Sequence, residues 1–157
     1  MKTLNPLKPL LLATVIAFSL TACQESAQDT SEDVAEARAD GQENVAEAQA
    51  DARETAADTQ RDLNAATDDA NNSASTIGSD YNEAVADATE ENAGARYDVA
   101  IAKADAEYNV AKERCDALTG AARDACTTEA NSTHEMAKLE AMKARDMADA
   151  GADARRE

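Results

Sequence analysis

The chain has 157 residues, of which 32 are Asp or Glu and 15 are Lys or Arg, for a net charge of −17. Its 43% hydrophobic content is mostly alanine: from Gln24 onward only ten residues are Leu, Ile, Val or Phe, and there is no Trp. Such a composition excludes a conventional large-residue core, and the acidity excludes nucleic acid as a partner, because phosphates are repelled.

The first 22 residues read as an export leader in three zones. Lys2 and Lys8 form a positive start, and Leu10–Leu20 is an uncharged apolar run of eleven residues. A spanning helix needs about 20 such residues, whereas a signal peptide needs only about 7–15. The run ends in Leu20-Thr21-Ala22-Cys23. This tetrad resembles the lipobox of bacterial lipoproteins. The resemblance implies cleavage between Ala22 and Cys23, a diacylglycerol thioether on the Cys23 sulfur and an N-acyl chain on its new amino group. No other cofactor is expected. Two or more acyl chains hold a protein stably, where one holds it marginally. The lipid bilayer, reached through Cys23, is therefore the first expected partner. Gln24 stands where the family's inner-membrane retention signal has Asp. The expected address is the periplasmic face of an outer membrane, with the inner membrane as the alternative. An ordinary cleaved signal and an uncleaved anchor are the competing readings of the leader.

Residues 23–33 are polar and read as a lipidated tether. Residues 34–65 carry an internal repeat. Val34-Ala-Glu-Ala-Arg-Ala-Asp-Gly-Gln-Glu-Asn44 is followed by Val45-Ala-Glu-Ala-Gln-Ala-Asp-Ala-Arg-Glu-Thr55, with seven of eleven positions identical. A related unit opens at Val99 and the next at Val110. Eleven residues are close to three helical turns, so the repeat predicts long helices with little supercoil. The pattern resembles the repeats of late-embryogenesis-abundant stress proteins. That resemblance implies a chain disordered when dilute and helical when dried or surface-bound. Residues 24–76 depart from it in having no lysine.

Residues 66–80 are rich in Asn, Ser and Asp and read as a linker. Asp80-x-x-Glu83 has the form of a capping box, predicting a helix start there. Residues 81–150 read as a helical hairpin. Tyr97, Ile101, Ala104, Tyr108, Ala111, Cys115 and Leu118 recur at 4-3 spacing, a coiled-coil-like seam. Thr119-Gly120-Ala121 reads as the turn, and Cys126, Ala130, Thr133 and Ala137, with nearby Met136, Leu139 and Met142, are expected on the facing side beyond it. Residues 151–157 read as a tail.

Cys115 and Cys126 flank that turn. Within one unbroken helix they would be about 16 Å apart, too far for a disulfide, which needs about 4.4–6.8 Å between Cα atoms. A bond within the chain therefore requires the hairpin, and export supplies an oxidising compartment. An intermolecular bridge, or redox or metal chemistry, is the alternative. The segment Val110–Cys126 also resembles small alanine-rich envelope proteins of proteobacteria, sometimes labelled TolA-like. That likeness brings no catalytic residues.

No nucleophile constellation or phosphate loop is present. His134 is the single histidine, and a zinc site would want about four ligands. No enzyme activity and no metal site are expected. The chain ends in Arg155-Arg156-Glu157, without the terminal lysine that joins the major murein lipoprotein to peptidoglycan, so that linkage is not expected. The expected fold class is all-α: elongated alanine-rich helices, a C-terminal hairpin and a flexible or partly disordered N-terminal half. The expected function is a membrane-anchored, non-enzymatic envelope lipoprotein acting as a helical spacer or stress protector. The alternative is an adaptor that presents residues 97–142 to a protein partner, or to a second copy.

Overall fold

A computed structural model describes residues 27–72 and 77–157. They form three α-helices: α1 (Ala27–Asn72, 46 residues), α2 (Ile77–Asp116, 40 residues) and α3 (Ala121–Arg156, 36 residues). At 1.5 Å per residue these are about 69, 60 and 54 Å long. Alanine, Glu, Arg, Lys and Gln dominate all three, and each loses little conformational freedom in a helix. The all-α class, the elongation and the C-terminal hairpin are as the sequence implies. The boundaries differ. Helix α1 takes in residues 27–33 and 66–72, read above as tether and linker, and it packs on α2. Helix α2 starts at Ile77, so Asp80 lies in its first turn and does not cap it. Helix α3 runs through the expected tail to Arg156.

Buried and half-buried positions recur every eleven residues in each helix. In α1 they are Ala37, Ala48, Thr59 and Ala70, with Gly41, Ala52 and Leu63 alongside. In α2 they are Ala93, Ala104 and Cys115, beside Ala86, Tyr97 and Tyr108. In α3 Ala130, Ala141 and Ala152 are buried. The period is the one written in residues 34–55, now extended to the whole bundle. The core is therefore alanine, and helix backbones approach closely. At Gly41 a methyl group would meet the Ala106 Cβ at 2.6 Å.

Helix α2 is the centre of the molecule. Ala86, Ala93, Ala104 and Cys115 lie along one side of it. Ala88, Asn92, Ala95 and Ala106 lie nearly opposite, by the 100° step of a helix. Each side carries one neighbour: α1 and α3 both pack on α2 and not on each other. The three helices form a layer, up, down and up. Helix α2 ends at Asp116, and Ala117–Gly120 make the turn, one residue or more before the expected 119–121. There the Leu118 N–H donates to the Cys115 carbonyl at 2.9 Å, and Gly120 takes φ 58°, a conformation that suits glycine.

Candidate functional site

Three features stand out from the alanine background: the stapled end of the layer, a groove across its face, and the outer side of α3. At the stapled end Cys115 is bonded to Cys126, with Cα atoms 5.5 Å apart, and Cys115 is 1% exposed. An Arg123–Asp116 ion pair crosses the same turn. Two helical turns further along, the Tyr108 ring stacks on His134 with centroids 4.5 Å apart and planes 11° from parallel. The Tyr108 hydroxyl donates to Asn131 Oδ1 at 2.7 Å, His134 Nε2 lies 2.6 Å from Asp105 Oδ1, and Lys112 sits over the tyrosine ring. These contacts fix the register of α2 against α3. They supply no reactive thiol. Among the described residues no group of His, Cys, Asp and Glu could hold a metal.

The groove, of about 560 Å³, lies where α1 and α3 flank α2. Asn92 Nδ2 donates to Thr59 Oγ1 at 2.9 Å on its floor, and also to the Ala88 carbonyl. Arg145 lies over the Tyr97 ring, 4.9 Å from its centroid. Further along, Arg156 closes the end of α3 onto α2. Its guanidinium reaches both Glu90 oxygens, at 2.5 and 2.9 Å, and Asp87 Oδ1 at 2.7 Å. This pairing holds the Glu90 carboxyl below its usual range and the Arg156 guanidinium above its own.

The outer side of α3 is apolar without being buried. Met136, Leu139, Met142 and Met147 are 60, 62, 40 and 66% exposed, four of the six exposed large apolar residues among those described. This corrects the expected seam in part: Ala104, Cys115, Cys126, Ala130 and Ala137 are buried or half-buried as expected, whereas its largest residues on α3 are not. Tyr97, Ile101 and Tyr108 are half-buried on α2, but Met136 and Leu139 point away from it, and Leu118, 40% exposed, projects from the turn. The reason is the period. The inner stripe of α3 follows Cys126, Ala130, His134, Ala137, Ala141, Arg145, Ala148 and Ala152 at eleven-residue spacing, which leaves Met136, Leu139 and Met147 on the far side. Charge is uneven as well. Helix α1 has thirteen acidic and three basic residues and α2 has ten and four, whereas α3 has seven and six.

Ala22, Cys23 and the rest of the leader lie outside the described residues. The start of α1 is nonetheless located. Gly41 faces Ala106 on an antiparallel neighbour, so Ala27, fourteen residues earlier, lies at the level of the α2–α3 turn. No helix among the described residues is long and apolar enough to cross a membrane. The sequence reading missed the His134–Asp105–Tyr108 cluster and the Arg156 clamp. The pairs that meet across helices in them are 26 to 69 residues apart and come together only once the helix register is set. Comparisons with protein-family models, with curated proteins and with solved structures find no match.

Proposed function

We propose that the chain is a non-enzymatic lipoprotein of the bacterial envelope, held by acyl chains on Cys23 to the periplasmic face of the outer membrane, with the inner membrane as the alternative. On this reading it is an extended spacer or stress protector. The observation that carries it is the polarity of the layer. Ala27, four residues past Cys23, lies at the stapled end, and the far ends of α1 and α2, at Asn72 and Ile77, lie about 60 Å away along the helices. Four residues reach at most about 14 Å. The anchor would therefore meet one end of the rod, and the other end would stand off from the bilayer. The Cys115–Cys126 bond would then secure the end nearest the membrane.

The test is metabolic labelling with a fatty acid, followed by envelope fractionation. The wild-type chain takes up the label and stays with membranes. Cys23→Ser remains unlabelled and is unprocessed or mislocalised. Normal processing and membrane retention of Cys23→Ser would overturn the reading.

A second reading, a binding adaptor, is favoured by one specific observation, the exposed Met136, Leu139 and Met147. Patches of that kind mark interaction surfaces. Crosslinking in intact envelopes followed by affinity capture distinguishes the two. A defined adduct mapped to α3 supports the adaptor, and an uncrosslinked chain supports the spacer.

A further inference from the structure

We infer that the outer face of α3 is a self-association surface, and that it takes the α3 of a second copy in antiparallel orientation. The inference develops the second reading above, and it does not depend on lipidation of Cys23.

The occupant follows from charge. Two copies of a chain with net charge −17 repel each other over most of their surfaces. Helix α1 carries a net of −10 and α2 a net of −6, while the seven acids and six bases of α3 leave −1. Helix α3 is thus the one described element that two copies can bring together with little like-charge cost, and it bears the exposed apolar stripe. An unrelated strongly basic partner would be drawn first to α1.

The orientation follows from spacing. Met136 and Met147 are eleven residues apart, so they share one face three turns apart, with Glu140 and Lys143 between them on the same side. Reversing one copy about the midpoint of that segment sets Met136 against the partner's Met147. The same operation sets Glu140 against the partner's Lys143, twice over by symmetry. Parallel alignment instead sets Lys143 level with the partner's Lys143 and Glu140 level with the partner's Glu140. Opposite charges select between helix orientations in this way.

The experiment is oxidative crosslinking of the full chain, with bonds mapped by mass spectrometry. The double variant Met136→Cys with Met147→Cys is expected to give a covalent dimer linked 136 to 147. Each single variant should give little. The two positions cannot bond within one helix, being about 16 Å apart. Sedimentation of a charge-swap series follows. Glu140→Lys should weaken dimerisation about tenfold or more, and adding Lys143→Glu should restore it. Helix content by circular dichroism shows that each variant is folded. Crosslinking by either single variant would establish parallel pairing and overturn the proposal. A monomer at all concentrations would overturn it too, and would leave the anchored-spacer reading intact.

Discussion

Gly41 sets how near α1 comes to α2. An added methyl would lie 2.6 Å from the Ala106 Cβ, and both partners are too small to swing aside, so the helices must separate. Gly41→Ala should therefore destabilise the bundle by about 1–3 kcal/mol despite the better helix propensity of alanine. Gly151 provides the internal comparison, since a Cβ there meets nothing within 4 Å. Gly151→Ala should stabilise by about 0.5–1 kcal/mol. Thermal melts of the two variants check both signs, and equal shifts would contradict the close approach at Gly41. Large residues are less decisive. The exposed Met136 and Leu139 should tolerate polar substitution with changes within about 0.5 kcal/mol in the monomer.

At the scale of the elements, α3 is fastened to α2 at both ends by different chemistry. The Cys115–Cys126 bond closes a short loop, and its reduction should lower stability by about 3 kcal/mol in the chain-entropy model. Melting with and without reductant measures this. At the other end Arg156 lowers the Glu90 pKa from its usual 4.5. A carboxyl whose folded value is depressed contributes stability above its unfolded value and loses it as pH falls through the folded one. The last turns of α3 should accordingly loosen as pH drops below 4.5, with amide exchange near Ala152 rising there before it rises near Cys126. Arg156→Gln should remove that pH dependence.

These elements also show what was legible beforehand. The eleven-residue period of Val34–Thr55 was visible, and it governs burial in all three helices. The disulfide geometry was visible too, because only a turn can bring residues eleven apart to 5.5 Å. The facing side of α3 was visible in Cys126, Ala130 and Ala137, which are buried or half-buried, but not in the large residues beside them. Met136 and Leu139 looked like core because they are large, yet the core here is alanine, and alanine also covers the outer faces. A residue present on every face carries no pattern. Nor does composition say that α2 is sandwiched: the seam from Tyr97 to Cys115 lies on the side of α2 that faces α3, and the opposite side, with Ala88, Ala95 and Ala106, takes α1 without any large apolar stripe to announce it.

At the scale of the whole molecule, the described residues form a narrow layer with little mass off its axis. Small-angle scattering from the monomer should give a maximum dimension of about 70 Å or more, well beyond a sphere of the same mass. A compact profile would contradict the side-by-side arrangement. One further consequence follows from where the ends lie. Ala27 is at the stapled end and Arg156 near the opposite one. Tension applied between them would pull α1 and α3 in opposite directions along α2, loading both contact surfaces in shear. Under shear the small alanine contacts bear force together, whereas a peeling load would break them one after another. A core too thin to impress by depth can thus resist a pull along its length, in the manner of a lap joint.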